Sequence, residues 1–118
     1  ESQNMVNYPM HLIIETLEDL TFVNISKDRN IAMFDKDMLQ FPLVLRHWKQ
    51  GDAFVPFGMR KSKKLSDFFT SEKYSLIEKQ QQWLLCSGND IIWIVGRRTD
   101  NRYRISEKTK TILKIEIQ

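Results

Sequence analysis

The chain has 118 residues, 42% hydrophobic and 11% aromatic, with a formal net charge of +3 and one cysteine. That size and composition describe a single globular domain spanning 1–118 and exclude a disordered segment or a second independent core. No run approaches the roughly 18 apolar residues of a membrane span and no basic-then-apolar leader opens the chain, so neither a span nor a secretory signal is expected.

Residues 10–17 and 21–26 are short apolar runs separated by Glu18 and Asp19, and both predict strands, as do residues 30–35. Residues 35–37 read as a turn. Residues 41–48 are expected to be extended, because Pro42 disfavours a helix interior. Gly51-Asp52 and Pro56-Phe57-Gly58 are turn signals around a short strand at Phe54.

A helix is predicted over about 63–72, since Leu65, Phe68 and Phe69 repeat at helical spacing behind Ser62, a good N-cap. Its first turn would carry Lys63 and Lys64, with Arg60 and Lys61 just ahead. Each cation at a helix N-terminus is unfavourable by about 0.3–1 kcal/mol, a conflict that a bound phosphate would relieve. Residues 75–82 fit either a helical turn or a loop. Residues 83–86 and 91–95 flank Ser87-Gly88-Asn89-Asp90 and predict a hairpin. Residues 103–105 suggest a short strand, and Leu113, Ile115 and Ile117 alternate with polar residues as a strand with one buried face does. The sum is an α+β domain, mostly β, with one main helix.

Catalytic signatures are missing: there is no glycine-rich phosphate loop, no HExxH and no CxxC. His11 and His47 lie far apart without a cysteine cluster, which argues against zinc. Cys86 falls in a hairpin strand, where a buried inert thiol is expected; a lone cysteine fits a reduced, cytoplasmic compartment. A first residue of Glu1 in place of Met is expected of a piece cut from a longer protein.

Basic residues are the remaining chemistry. Residues 1–45 hold three Lys/Arg against seven Asp/Glu, and residues 46–118 fifteen against eight. One cluster is Arg46, Lys49, Arg60, Lys61, Lys63 and Lys64; the other is Arg97, Arg98, Arg102 and Arg104, after Gly96. The arginine-rich second cluster suits bidentate phosphate contacts, with some of its members pairing instead with Asp100, Glu107 or Asp67. Trp48, Trp83, Trp93, Phe54 and Phe57 are expected in the core, and Trp48, between His47 and Lys49, is also a candidate for base stacking. A lysine-rich solvated surface is the plainer alternative.

Residues 46–68 read Arg46-x-Trp48-x2-Gly51-Asp52-x-Phe54-x-Pro56-x-Gly58-Met59-x4-Lys64-Leu65-Ser66-Asp67-Phe68. With Ile92-Trp93-Ile94-Val95-Gly96-x-Arg98-x-Asp100-x-Arg102-Tyr103 and Thr109-x3-Leu113-x-Ile115, this pattern resembles the C-terminal domain of bacterial tRNA(Ile)-lysidine synthetases over about 42–117, with 1–41 as lead-in strands. Lys61 stands where that family commonly has glycine. The resemblance implies a fold shared with a module of phenylalanyl-tRNA synthetase. It implies a domain that holds the acceptor-stem side of tRNA(Ile) while an N-terminal catalytic domain of the same chain ligates lysine to the wobble cytidine. ATP with Mg2+ and lysine would belong to that catalytic domain, and this segment would carry no cofactor.

On that reading Arg46, Lys49, Arg60, Lys61, Lys63, Lys64, Arg97, Arg98 and Arg102 contact tRNA, while Gly51, Asp52, Gly58 and Gly96 shape turns. A homodimer is compatible with it. The alternatives are a protein–protein or dimerisation module that does not touch RNA, and a small-molecule-binding β domain.

Overall fold

A computed structural model describes residues 2–21 and 23–118. Its strands are β1 (Ser2–Val6), β2 (Leu12–Leu17), β3 (Ile31–Asp35), β4 (Val44–His47), β5 (Ala53–Phe54), β6 (Lys63–Lys64), β7 (Trp83–Ser87), β8 (Asp90–Ile94), β9 (Arg98–Thr99) and β10 (Ile112–Ile117). The α-helices are α1 (Leu65–Ser71) and α2 (Leu76–Gln81), with 3-10 turns at Lys36–Met38 and Asn101–Tyr103. The mostly-β α+β class read from the sequence is the class observed. Two compact units form, Glu1–Leu39 with Tyr103–Gln118, and Gln40–Arg102.

The first unit is an antiparallel sheet in the order β1-β2-β10-β3. The C-terminal strand lies between two N-terminal ones, with Leu113 opposite both Thr16 and Phe34 and Ile115 opposite both Ile14 and Ala32. The period-two pattern holds at the centre of this strand, where Leu113 and Ile115 are buried and Lys114 and Glu116 are more open. Ile112 is buried as well, and Ile117, expected on the buried face, is half-buried. The Thr109 hydroxyl donates to Asp35 at 3.0 Å, and Asp35 caps the 3-10 turn by accepting from the Asp37 N–H. Two expected strands do not form. Residues 23–26 have no ladder partner and Phe22 lies outside the described residues; residues 101–103 make a 3-10 turn where a strand at 103–105 was expected.

The second unit has the sheet β4-β7-β8-β9 and the small pair β5-β6. The predicted hairpin is β7-β8, with Gly88 at φ +57° in its turn and a register shift between Leu85 and Cys86. Its core joins Phe54, Leu65, Phe68, Phe69, Tyr74, Leu84, Cys86, Ile91 and Ile94. Cys86 is buried, and burial pushes its thiol pKa up, as an inert core thiol requires.

The helix expected from Lys63 starts later. Lys63 and Lys64 pair as β6 with Phe54 and Ala53, and α1 begins at Leu65, whose N–H donates to the Asp52 carbonyl at 2.9 Å. Ser62 is therefore no N-cap; Lys64 holds that place without a side-chain cap. Strand pairing removes the two lysines from the first helical turn, where Asp67 now sits, and so lessens the repulsion with the helix dipole, with Lys64 still standing at the N-cap. The apolar repeat itself is right: Leu65, Phe68 and Phe69 are all buried, worth about 1.5–3 kcal/mol each.

The helix ends in a Schellman turn, in which the Tyr74 N–H donates to Phe69 O and the Lys73 N–H to Thr70 O. Lys73 takes φ +58° there. Residues 75–82 resolve as α2, entered by a capping box in which Ser75 Oγ accepts from the Glu78 N–H and Glu78 Oε1 from the Ser75 N–H. Gln82 then ties this helix to the sheet, donating to the carbonyls of Trp83 and Val95 and accepting from the Tyr74 hydroxyl at 2.6 Å.

Candidate nucleic-acid interface

Charge follows the two units. The first carries seven Lys/Arg and nine Asp/Glu, and the second eleven and six, so the basic excess lies within 40–102. Inside that unit, two buried carboxylates organise the predicted basic residues.

Asp52 is the first. Its side chain, 7% exposed, takes a bidentate pair from Arg46, Nη1 to Oδ2 at 2.8 Å and Nη2 to Oδ1 at 3.0 Å. Oδ2 also accepts the Lys49 N–H at 2.8 Å, closing the turn in which Gly51 takes φ +93°. Burial pushes the Asp52 carboxyl up, but the bonds from Arg46 and Lys49 outweigh it and hold its pKa below the ordinary carboxylate value. The same hydrogen bond raises the Arg46 guanidinium, against a smaller effect of desolvation. Since the Asp52 carbonyl also receives the Leu65 N–H, one residue sets Arg46, Lys49 and the Lys64–Leu65 junction together.

Asp100 is the second, with a side chain 0% exposed. Oδ2 accepts the Val55 N–H at 2.9 Å and Arg102 Nη2 at 2.9 Å; Oδ1 accepts the Arg102 N–H at 2.8 Å and Nε at 3.0 Å. Arg102 also pairs with Asp90 at 3.2 Å. Around this anchor, the Asn101 N–H donates to Val55 O at 2.7 Å, the Phe57 N–H to Thr99 O at 3.0 Å and the Gly58 N–H to Asn101 Oδ1 at 3.0 Å. Asp100 fixes the start of the 57–64 segment and Asp52 its end.

The segment between these anchors is open. Phe57, Gly58, Met59, Arg60, Lys61, Ser62 and Lys64 are exposed, and Lys63 is half-buried with Nζ 3.2 Å from Ser71 Oγ. Among the described residues Arg60, Lys61 and Lys64 have no carboxylate partner. Arg98, on β9, is exposed and donates from Nη2 to Phe57 O at 2.8 Å, which brings one arginine of the second cluster onto this loop.

The other arginines are engaged elsewhere. Arg97, after the Gly96 turn at φ +78°, lies 4.5 Å above the Tyr74 ring and 3.4 Å from Glu78. Burial pushes the Tyr74 phenol up to about 12.

Trp48 is half-buried, its ring edge-on to Phe69 at 5.3 Å. His47 stacks on Trp83 at 3.9 Å, and its Nδ1 lies 3.2 Å from Gln82 O, where a protonated Nδ1 donates. Trp93 and Phe54 are buried as expected, but Phe57 is 50% exposed, a correction to its expected place in the core. The cause is the turn: Met59 N–H donates to Pro56 O at 2.9 Å and Gly58 takes φ +86°, so Phe57 occupies the outer corner. No group of three or more His, Cys, Asp or Glu that could hold a metal stands among the described residues, and no described helix is long and apolar enough to cross a membrane.

This fold is one already seen in solved structures. A solved TILS C-terminal domain superimposes with a TM-score of 0.77 at 19% identity, over 92% of this chain and 82% of that one. An N-terminal fragment of the phenylalanyl-tRNA synthetase beta-subunit from Pyrococcus horikoshii follows at 0.61 and 18%, over 72% of this chain and 27% of that one. At such identities the likeness defines the fold.

Residues 43–117 match the family described as TilS substrate C-terminal domain, and the chain belongs to it. It is similar to proteins named tRNA(Ile)-lysidine synthase, at 53% identity over 89% of the chain for that of Parabacteroides distasonis and 44% over 89% for that of Bacteroides thetaiotaomicron. For the Clostridium tetani protein the identity is 34% over 98%. The chain spans about a quarter of the length of these relatives, 24%, 25% and 25%.

Proposed function

We propose that this chain is the tRNA-docking C-terminal domain of a tRNA(Ile)-lysidine synthase. The whole protein, on this reading, is a cytoplasmic ATP-dependent ligase that joins lysine to the wobble cytidine of tRNA(Ile). The nucleotide, its Mg2+ and the lysine are assigned, on the family likeness, to a catalytic domain elsewhere in the whole protein.

The observation that carries the proposal is the exposed loop of Arg60, Lys61 and Lys64, pinned at both ends by buried Asp52 and Asp100 and joined by Arg98. Cations without carboxylate partners on a rigid backbone suit phosphates, because binding them costs neither a lost ion pair nor much chain ordering. Lys49 extends the site from the Asp52 turn. Arg46, Arg97 and Arg102 serve mainly as scaffold, their guanidinium groups already being shared with Asp52, Glu78, Asp90 and Asp100.

An acceptor stem is an A-form duplex, which proteins grip through phosphates, 2′-hydroxyls and shape, with bases read at an open end. The test is a competition between an acceptor-stem minihelix and an anticodon stem-loop of the same tRNA for the purified chain. Preference for the minihelix is expected; equal or reversed preference would reject acceptor-stem docking.

A further inference from the structure

We infer that Phe57 is a stacking platform for an unpaired nucleobase at the open end of the docked RNA. The inference rests on the RNA-docking reading and deepens it. Phe34, Phe54, Phe68 and Phe69 are at most 3% exposed, whereas Phe57 shows half of its surface. Its backbone is fully engaged, with the N–H on Thr99 O and the carbonyl receiving Arg98 Nη2, so the ring stands on a fixed base next in the chain to buried Pro56. An apolar ring held out in water on a rigid turn gains most from a flat apolar partner that covers it.

The surroundings select what that partner is. Arg98 reaches the Phe57 carbonyl without a carboxylate partner among the described residues, and Arg60 and Lys61 follow within four positions. Met59, two positions on in the same turn, is 45% exposed. Phe41 is also exposed, at 55%, yet has no Lys or Arg within four residues on either side. An aromatic face among cations matches a base flanked by phosphates, and stacking of this kind is sequence-tolerant. Bases inside a duplex already stack on their neighbours, and the ligand is assigned to a nucleotide of a single-stranded end adjoining the stem. Stacking on the outer face of a terminal base pair is the competing case that a blunt duplex tests.

The test compares two RNAs, an acceptor minihelix with its single-stranded 3′ nucleotides and the same duplex made blunt, binding to the 118-residue chain and to Phe57→Ala, Phe57→Leu and Phe57→Trp. Phe57→Ala should weaken the tailed RNA about fivefold or more while leaving the blunt one unchanged. Phe57→Trp should keep the preference for the tail, and Phe57→Leu, which retains apolar bulk without a π face, should lose most of it. Equal losses on both RNAs, or no loss on either, would overturn stacking on an unpaired base while docking stands. Absence of salt-sensitive binding to both RNAs by the unaltered chain would remove the docking reading itself.

Discussion

Residues 57–64 carry Arg60, Lys61, Lys63 and Lys64 with no acid among them, whereas residues 97–102 set three arginines around buried Asp100. Their charge densities are similar and their uses differ. In the second stretch, Arg102 spends its fork on Asp100 and Asp90, and Arg97 divides itself between Glu78 and the Tyr74 ring. In the first, Arg60, Lys61 and Lys64 stay in solvent while the backbone beneath them is held at its two ends by Asp100 and Asp52. A basic cluster is thus two kinds of residue, those that build the loop and those that it presents, and the partner carboxylate tells them apart.

The largest expected effect breaks the builder. Asp100→Ala removes the acceptor of the Val55 and Arg102 N–H groups and one of the two carboxylates that the Arg102 guanidinium meets, and should cost about 3 kcal/mol of stability in urea unfolding. Replacing Arg60, Lys61 and Lys64 together by alanine should do the opposite. The melting temperature should hardly move, since exposed side chains without partners each contribute within about 0.5 kcal/mol, while affinity for tRNA falls about tenfold or more. Lys64→Glu alone should weaken binding by about 1 kcal/mol, read by fluorescence titration.

The Asp52 anchor gives a pH signature. Its folded pKa lies below the ordinary 3.8, so the folded state binds fewer protons near that value. The stability it contributes is present above 3.8 and is lost as pH falls through the lower folded pKa. Urea melts from neutral pH downward should show a steeper acid loss for the unaltered chain than for Asp52→Asn; parallel curves would remove Asp52 as an anchor. The smallest effect uses a cation outside both stretches. Lys73→Gly places glycine at φ +58° in the turn that ends α1 and should stabilise by about 0.5 kcal/mol. It also deletes a positive charge, and unchanged tRNA affinity would show that position, not net charge, governs binding.

Most of the architecture was legible because the apolar spacing matched the final periods, as at Leu65, Phe68 and Phe69 or at Leu113 and Ile115. The start of α1 was not, because Ser62 and the apolar repeat are local signals, whereas the β5-β6 pairing and the Asp52 carbonyl act across the chain. Helix α2 hides for another reason. It buries no side chain, so no apolar stripe announces it, although Ser75-x-x-Glu78 was a readable capping box.

At the site, the Asp100 bridge to an arginine followed from residue types. The separation of Arg98 from its neighbours Arg97 and Arg102 did not, since it depends on which carbonyl or carboxylate each guanidinium meets. The exposure of Phe57 was missed through its apolar neighbours; the Pro-x-Gly frame that puts it at a turn corner was the available clue.

The most direct measurement is the salt dependence of tRNA affinity for the unaltered chain and for the Arg60, Lys61 and Lys64 triple alanine variant. Log affinity should fall linearly with log salt, and the variant's slope should be shallower by about 0.7–0.9 for each phosphate contact removed. Identical slopes would contradict the assignment of this loop as the surface that meets the RNA backbone.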